Sequence, residues 1–268
     1  MLGDPGLGSR AANTGAVVSS DSIAVAVIGA RGKLGRFACE WFARAPGFDL
    51  VASYGSDVDW RRSIADSGAR VAFEATRAGL GFEHACELLE RGLRPVVATS
   101  GVSIAETTEL DARARAAQLG GLVVPNFSIG AWLMMRMAEE AARWFEGAEI
   151  VELHHPRKAD APSGTGAETA RRIVAARRDA GLAAFDPPSP GFPARGAARD
   201  GVPIHSVRLP GLYAHQEVLF GAVGETLALR HDMASPEAFG PGITLAVRYA
   251  ATNSGVQRGL GAALERRD

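Results

Sequence analysis

The sequence predicts an α/β protein whose first half forms parallel βαβ units and whose second half forms an α+β domain with its own sheet. Three observations lead to this prediction. Short apolar runs alternate with helical periodicity between residues 23 and 125, as expected where helices cover both faces of a parallel sheet. A glycine-rich turn at 29–35 joins the first run to the first helical stretch. Several strand-like runs follow one another between 204 and 231.

Five apolar or β-branched runs in the first half are predicted strands, and three periodic stretches between them are predicted helices. The strands are 23–29, 48–54, 69–76, 95–99 and 121–125, and the helices are 33–45, 81–91 and 104–118. In the first helix, Leu34, Phe37 and Trp41 have the spacing of one helix face. Because helices separate most of these strands, the pattern indicates a Rossmann-like parallel sheet.

The second half has a different pattern. It begins with helical and strand-like stretches at 129–145, 148–155 and 165–180. The segment 185–203 is rich in proline and glycine and lacks periodicity, so we expect a long irregular loop. Runs at 204–209, 215–221 and 226–231 indicate a sheet that is antiparallel or mixed, and an apolar helix at 239–251 closes the chain. Residues 1–22 have no apolar run and are expected to form a flexible extension.

Composition excludes several classes of function. The formal net charge of -1 gives no basic surface for nucleic acid, and no stretch approaches the roughly 20 apolar residues of a membrane span. Cys39 and Cys86 lie far apart and show no metal-ligand spacing. We therefore expect no metal, no nucleic-acid partner and no membrane association, and a reducing, cytoplasmic location.

The glycine-rich turn is the first motif that carries chemistry. It reads Gly29-Ala30-Arg31-Gly32-Lys33-Leu34-Gly35. Glycines at a strand-to-helix junction permit a tight turn and let a pyrophosphate approach the backbone N–H groups at the helix start. The same spacing also occurs in ordinary tight βα turns. Because this turn opens a βαβ pattern, we interpret it as a dinucleotide-binding loop.

The choice between NADH and NADPH depends on the end of the second strand. An NAD-selective fold of this type usually has a carboxylate there for the ribose 2′-hydroxyl, whereas the segment 52–56 contains none. Arg31 and Lys33 in the loop, with Arg61 and Arg62 further along, are available for a 2′-phosphate. This favours NADPH, or the use of both cofactors.

The second motif, residues 152–166, reads E-L-H-H-P-R-K-A-D-A-P-S-G-T-G. It combines a proton donor in His154 or His155, a fixed positive charge in Lys158, and a Ser-Gly-Thr helix start at 163–165 that can bind an anion. Reduction of an anionic, conjugated substrate needs these groups, because an acid must protonate the atom that gains electron density. Neighbouring histidines in a strand point to opposite faces, so one is expected to be the acid and the other to orient substrate or to pack.

This segment resembles the signature E-x-H-H-x-x-K-x-D-A-P-S-G-T of the dihydrodipicolinate (4-hydroxy-tetrahydrodipicolinate) reductase family. Further family landmarks occur in order at 123–130, 207–211, 215–220, 224–231 and 239–248. The resemblance spans residues 23–250. It implies NADH- or NADPH-dependent reduction of 4-hydroxy-tetrahydrodipicolinate, a cyclic dicarboxylate, to tetrahydrodipicolinate in lysine and diaminopimelate biosynthesis.

The resemblance also implies an architecture. The family is a homotetramer whose subunits have a dinucleotide-binding domain, completed by the C-terminal helix, and a second domain whose sheet forms the oligomer. Residues 23–126 with 240–268 would form the first domain. Residues 127–239 would form the substrate-binding and oligomerisation domain, with the segment 185–203 peripheral to the site.

Site residues are carried over position by position. His154 matches the general acid, and Lys158 takes part beside it. The residues expected to hold the substrate's carboxylates are His155, Lys158, Ser163, Gly164 and Thr165. The cofactor is expected to contact the loop Gly29–Gly35, Thr76, Ala98, Thr99, Gly101, Pro125, Asn126 and Phe127, with Arg248 reaching the same region from the last helix.

The departures from the family pattern all lie in the cofactor domain. The loop that usually reads G-T-T-G is Ala98-Thr99-Ser100-Gly101, and the strand end D-F-T is Glu74-Ala75-Thr76. Two alternatives therefore stay open beside the family activity. One is a paralogue that reduces a related cyclic imine or enamine carboxylate in a specialised pathway, and the other is a cofactor-binding protein without turnover.

Overall fold

The computed structural model describes residues 22–185 and 193–265. The expected flexible extension at 1–22 therefore lies, apart from Ser22, outside the described residues. Within the described residues, the helices are too short or too polar for any of them to span a bilayer.

Strands and helices are numbered in chain order. The strands are β1 Ile23–Ile28, β2 Phe48–Tyr54, β3 Val71–Glu74, β4 Arg94–Val97, β5 Gly120–Val123, β6 Gly147–His154, β7 Ala197–Arg199, β8 Val202–Arg208, β9 Ala214–Ala222, β10 Glu225–Met233 and β11 Gly255–Arg258. The helices are α1 Lys33–Arg44, α2 Gly81–Glu90, α3 Ile104–Ala116, α4 Ile129–Ala141, α5 Gly164–Asp179, α6 Gly240–Thr252 and α7 Gly261–Leu264. Short 3₁₀ turns occur at Trp60–Arg62, Ala65–Ser67, Pro193–Arg195 and Pro236–Phe239.

The first sheet has six strands in the order β11-β5-β4-β3-β1-β2, and every pairing in it is parallel. Alternate residues of β1 serve two separate cores, as expected for a strand covered on both faces. Val25 and Val27 pack in the core formed with α1 and α6, whereas Ala26 and Ile28 pack on the opposite face with Trp60. The predicted parallel α/β sheet is confirmed.

Two elements near the C-terminus were not predicted. β11 adds to the edge of the first sheet beside β5, and α7 follows it. β11 has only four residues and includes the polar Gln257 and Arg258, so it lacks the apolar run that identified the other strands. Gly255, the first residue of this strand, has a left-handed backbone with φ 84°. A glycine of this kind is typical of a turn, so it did not indicate a strand in the sequence.

The second sheet has the order β10-β9-β6-β8-β7 and is covered on one face by α4 and α5. The predicted second sheet, antiparallel or mixed, is confirmed as a mixed sheet. β8 does not pair with β9, the strand that follows it in the chain, but lies parallel to β6 on its other side. A helix, α5, connects β6 to β8, and a crossover of this kind returns the chain in the parallel direction.

The expected irregular loop at 185–203 is partly wrong. Its last third forms β7, which pairs antiparallel with β8. Phe185 is buried in the core of the second sheet, with the Arg177 guanidinium 4.1 Å from its ring centroid. Residues 186–192 of this segment lie outside the described residues. Aromatic burial and a three-residue strand give too short a pattern to be recognised in a proline-rich sequence.

Candidate active site

An open cleft of about 970 Å³ lies between the first sheet and the second, at the upper end of the roughly 300–1,000 Å³ typical of small-molecule sites. Its walls come from the carboxyl-end loops of the first sheet, the end of β6, the start of α5 and the inward face of β9 and β10. Ligands of parallel α/β sheets bind at this edge. The predicted site residues that line the cleft are Lys33, Leu34, Ala98, Pro125, Asn126, Phe127, His154, His155, Lys158, Ser163 and Thr165.

Steric contacts require glycine at two positions of the loop between β1 and α1. Gly29 has φ 86°, and a Cβ there would lie 2.4 Å from the carbonyl oxygen of Ala75. A Cβ on Gly35 would lie 2.1 Å from the carbonyl oxygen of Gly29. The loop is therefore folded tightly against the end of β3 and onto itself, with no room for a side chain at these two positions.

The start of α1 can accept an anion. Gly32 is the N-cap residue and supplies no side-chain hydrogen bond to the first turn, whereas serine side chains cap α3, α4 and α5. Helix starts leave N–H groups without intrahelical partners, and these groups together with the helix dipole favour phosphate. The tight glycine loop and this uncapped start fit the pyrophosphate of a dinucleotide.

Two of the predicted cofactor residues meet at the ends of β3 and β4, around a carboxylate that was not among the predicted site residues. Glu74 is fully buried and accepts hydrogen bonds from the hydroxyls of Thr76 and Thr99, the latter at 2.6 Å. His84 Nδ1 lies 3.2 Å from the same carboxylate. Burial acts to raise the pKa of Glu74, but the hydrogen bonds from His84, Thr76 and Thr99 hold it below the ordinary value. The two threonine hydroxyls therefore point toward the buried Glu74. Gly101, with φ 103°, lies against Gly79.

Arg248 corrects one expectation. Its guanidinium lies over the ring of Phe48, 5.5 Å from the centroid, and close to Gly47. Phe48 begins β2, so this contact is at the amino edge of the parallel sheet, opposite the edge that carries the cleft. The expectation that Arg248 reaches the nicotinamide region is therefore wrong, because α6 runs along the sheet and presents this residue at the other end.

The end of β2 has an acidic group that was not predicted. The segment 52–56 contains no carboxylate, but Asp57, three residues beyond the strand, folds back to form an ion pair with Arg31 at 2.6 Å. Both side chains lie directly over Gly55. Arg61, which was a candidate for a 2′-phosphate, is instead bound to Glu87 at 2.7 Å and stacked on Trp60. The basic and acidic groups at this position are thus Arg31 and Asp57.

The substrate motif places a histidine over a buried carboxylate. His154 ends β6 and lines the cleft, and its Nδ1 is hydrogen-bonded to Glu152. Glu152 is fully buried and also receives both amino groups of Arg208, at 2.8 and 3.0 Å, and the backbone N–H of Ser163 at 3.3 Å. With Nδ1 occupied, only Nε2 of His154 is available to a ligand.

His155 also lines the cleft, although neighbouring histidines were expected to face opposite ways. It lies one residue beyond the last residue of β6, where the alternation of the strand has ended. Burial and the positive charges of Arg157 and Lys33 hold the pKa of His155 below its ordinary value. Its Nδ1 has no hydrogen-bond partner among the residues that the structure describes. A bound anion would supply one partner and relieve the charge repulsion.

The cleft is electropositive. Lys33, Arg157 and Lys158 line it, and Asp160 is the acidic residue in its wall. Lys158 Nζ lies 2.7 and 3.0 Å from the two carboxylate oxygens of Asp160, and this contact lowers the pKa of Asp160. Since Asp160 is more than half exposed, it can turn away when another carboxylate approaches Lys158.

The start of α5 joins the two halves of the site. The Ser163 hydroxyl caps the helix by accepting from Gly166 N–H at 3.0 Å. The Thr165 hydroxyl accepts from the side-chain amide of Asn126 at 3.2 Å, and Asn126 in turn accepts from Ser128 N–H at 2.8 Å. Asn126 follows β5 of the first sheet, so this hydrogen bond links the first sheet's carboxyl edge to the substrate motif.

Three inward-facing polar residues of the second sheet received no role from the sequence. Glu152 of β6 pairs with Gln216 of β9, and Gln216 pairs with His231 of β10, so the three form one rung. On the next inward rung, Ile150 and Val218 are apolar and buried. The inward face therefore becomes polar only at the end that borders the cleft. A polar residue in the buried phase of strand alternation was the signal that could have identified them.

The first sheet is parallel and has a glycine loop at its carboxyl edge, as in dinucleotide-binding domains. The second sheet carries a histidine and an anion site. This combination defines a Rossmann-type oxidoreductase with its own substrate domain. Two family models match this chain. One, described as dihydrodipicolinate reductase, N-terminus, matches residues 23–127, and the other, dihydrodipicolinate reductase, C-terminus, matches residues 130–260. The chain belongs to the dihydrodipicolinate reductase family.

Individual relatives agree with the family models. The chain is 45% identical over 243 residues to the 4-hydroxy-tetrahydrodipicolinate reductase of Streptomyces griseus, covering 88% of this chain and 95% of that one. It is 40% identical over 237 residues to the enzyme of the same name from Legionella pneumophila, covering 88% and 97%. Among solved structures, the dipicolinate-bound dihydrodipicolinate reductase from Paenisporosarcina sp. TG-14 superposes with a TM-score of 0.78 at 33% identity, covering 89% and 98%.

Proposed function

We propose that this chain reduces 4-hydroxy-tetrahydrodipicolinate to tetrahydrodipicolinate with NADPH or NADH, in lysine and diaminopimelate biosynthesis. The observation that carries the proposal is the set of side chains that line the cleft. His154, with only Nε2 available, lies among cationic groups and beside the start of α5, opposite a glycine loop that fits a pyrophosphate. The names of the relatives support the same reaction.

The cofactor would be held by the loop Gly29–Gly35 and the uncapped start of α1, with Ala98 and the segment 125–127 lining the part of the cleft next to them. When bound, a reduced nicotinamide supplies hydride to the substrate ring. The loop N–H groups orient the pyrophosphate, and Phe127, buried against Phe73, fixes the backbone beside the cleft. Arg31 and Asp57 lie where the adenosine ribose is read in folds of this type.

The substrate's two carboxylates would be held by Lys158, His155 and the N–H groups at the start of α5. Lys158 exchanges the carboxylate of Asp160 for one carboxylate of the substrate. His154, protonated on Nε2, donates this proton to the ring atom that gains electron density. Glu152 remains ionised beneath the ring.

The same groups would serve a paralogue that reduces a related cyclic imine or enamine carboxylate, because they recognise a carboxylate and not the whole ring. The dipicolinate-bound relative favours the dicarboxylate reading. A cofactor-binding protein without turnover is disfavoured, because a proton donor with an ionised partner and an anion site occur together in the cleft.

The proposal is tested by following oxidation of NADPH and of NADH in separate assays with 4-hydroxy-tetrahydrodipicolinate generated in situ by its synthase from pyruvate and aspartate semialdehyde. Turnover that depends on the synthase supports the proposal and ranks the cofactors. Cofactor binding without turnover contradicts it, and a panel of cyclic imine carboxylates then separates the paralogue from the non-enzyme.

We further propose that the protein is a cytoplasmic homotetramer assembled through the open face of the second sheet. The two cysteines are free, in keeping with a reducing compartment. Leu219 is more than one-third exposed on this face, and its neighbours across the strand pairing include Glu149 and Ala228. Apolar side chains on an open sheet face favour association with a second sheet.

A further inference from the structure

Glu152 joins three separate elements of the candidate site. It receives the Nδ1 hydrogen bond of His154 on its own strand, two hydrogen bonds from Arg208 on β8, and the N–H of Ser163 at the start of α5. Arg208 continues this network to the backbone carbonyl of Asp160, at 2.7 Å. The general acid, the anion-binding helix start and the loop that carries Lys158 are therefore fixed relative to one another through one buried carboxylate.

The protonation state of this carboxylate follows from its neighbours. Burial acts to raise the pKa of Glu152, but the hydrogen bonds from His154, Arg208 and Ser206 outweigh it and lower the pKa to about 2. Glu152 is thus ionised throughout the neutral range. An ionised carboxylate can only accept hydrogen bonds, so His154 must present Nδ1–H to it.

We infer that the Glu152–Arg208 pair is a positioning unit that fixes His154 in the Nδ1–H form with Nε2 directed at the substrate. This inference rests on the proposed function only for the identity of the substrate, since the geometry is independent of it. A histidine that keeps its proton on Nδ1 has an Nε2 that takes up a proton from solvent and delivers it to the substrate. The opposite neutral form, Nε2–H, is a far weaker acid because it would have to become an imidazolate.

Arg208 determines what a substitution at Glu152 would do. Oε1 of Glu152 receives Arg208 Nη2 and the N–H of Ser163, whereas Oε2 receives Arg208 Nη1 and faces Nδ1 of His154. Both groups on Oε1 can only donate, so in Glu152→Gln the amide oxygen takes the Oε1 position. The amide NH₂ then takes the Oε2 position beside His154, and the bond from Arg208 Nη1 is lost. Nδ1 of His154 must then accept, and the proton moves to Nε2. The substitution is nearly isosteric, and it changes the form of His154 without removing any side chain from the cleft.

The chain contains a matched control pair. Glu149 lies on the same strand, three residues earlier and therefore on the opposite face, and its carboxylate is 2.8 Å from Nε2 of His205 on β8. This pair has the same chemistry and neither residue lines the cleft. Glu149→Gln tests whether any loss of a carboxylate–histidine contact in this sheet has the same effect.

The experiment is ¹⁵N–¹H NMR of the histidine side chains in the ligand-free protein at a pH where imidazoles are neutral, with His154→Gln used to assign the resonances. In the unsubstituted protein we expect His154 to be protonated on Nδ1 and not on Nε2. In Glu152→Gln we expect the reverse, and in Glu149→Gln no change at His154. Finding Nε2–H in the unsubstituted protein would falsify the inference, and this arm does not depend on whether any variant folds.

Turnover gives the second readout. Since a general acid contributes roughly 10²–10⁴-fold, we expect Glu152→Gln to lower kcat by about 10²-fold while the KM for substrate changes far less. A folded Glu152→Gln that keeps the Nδ1–H form, or that retains most of its kcat, contradicts a positioning role. If the unsubstituted protein does not turn over the dicarboxylate, the proposed function fails, whereas the NMR result still decides the inference.

Discussion

The sequence contains only two lysines, Lys33 and Lys158, and both line the cleft, whereas its other basic side chains are arginines and histidines. An amine-reactive reagent therefore has two side-chain targets in the whole protein. We expect dipicolinate to protect Lys158 from acetylation and NADPH to protect Lys33, as measured by mass spectrometry of peptides. The N-terminal amine serves as an internal control for reagent activity. Equal labelling of Lys158 with and without dipicolinate would contradict its role in holding a carboxylate.

Asp57 and Arg31 lead to a prediction about cofactor choice. Removing the carboxylate in Asp57→Asn releases the Arg31 guanidinium for a 2′-phosphate and removes an acceptor for the ribose hydroxyl. We expect the ratio of the NADH Kd to the NADPH Kd to rise about tenfold, which corresponds to about 1.4 kcal/mol. Fluorescence titration with each cofactor measures it. Asp59→Asn is the control, because Asp59 contacts Arg62 and not Arg31, and an equal change in both variants would argue against a local effect.

Glu152 also predicts a dependence of stability on pH. Its pKa is lowered from 4.5 to about 2, so its contribution to stability is fully present above about pH 4.5 and is lost as the pH falls toward 2. A shift of this size corresponds to roughly 3 kcal/mol. We expect the difference in unfolding free energy between the unsubstituted protein and Glu152→Gln to be largest at neutral pH and to shrink across this range. Urea unfolding at pH 7, 4 and 3 measures it, and a constant difference would contradict the prediction.

At the scale of residues, the sequence predicted much of the cleft wall. His154, His155 and Lys158 were recognisable because a long motif concentrates them within a few positions. Asp57 was not, since its relevance depends on a turn that folds it back over Gly55. Arg248 was misplaced because helical periodicity gives a residue's face but not which end of the sheet it reaches.

At the scale of elements, the turn between β1 and α1 gives a prediction for a glycine. A Cβ on Gly35 would overlap the carbonyl of Gly29, at 2.1 Å, so Gly35→Ala must move the helix away from the strand. We expect a loss of stability of about 1–3 kcal/mol, as for other overpacked sites, together with weaker cofactor binding. Gly147→Ala is the control, since a Cβ there meets no atom within 4 Å. Urea unfolding and cofactor titration of both variants test the prediction.

The elements of the first half could be predicted because the strands are short, mainly apolar runs and periodic helical stretches separate most of them. β2 was predicted with its observed bounds, and α1 with its observed start. The second sheet was harder, since pairing partners depend on tertiary contacts and not on local pattern. Nothing in the run at 204–209 indicates that β6, and not β9, is its neighbour.

At the scale of the whole molecule, the proposed assembly predicts the effect of a charge on the open sheet face. Leu219→Arg would place a guanidinium in the centre of the proposed interface, and burying an unpaired charge is costly. We expect the variant to lose the tetramer in size-exclusion chromatography with light scattering. Leu133→Arg is the control, because Leu133 is similarly exposed but lies on α4. A tetramer that survives Leu219→Arg, or the absence of a tetramer in the unsubstituted protein, contradicts the proposal.

The rung formed by Glu152, Gln216 and His231 makes the site sensitive to the length of the chain as well as to its composition. Side chains alternate between the two faces of a strand, so a shift of one residue in the β6–β9 pairing exchanges the faces. A single-residue insertion within β9 would turn Gln216 away from the cleft while leaving every residue of the substrate motif in place. Among related sequences, insertions and deletions within β9 are therefore expected to be rarer than insertions and deletions in the turn at 222–225.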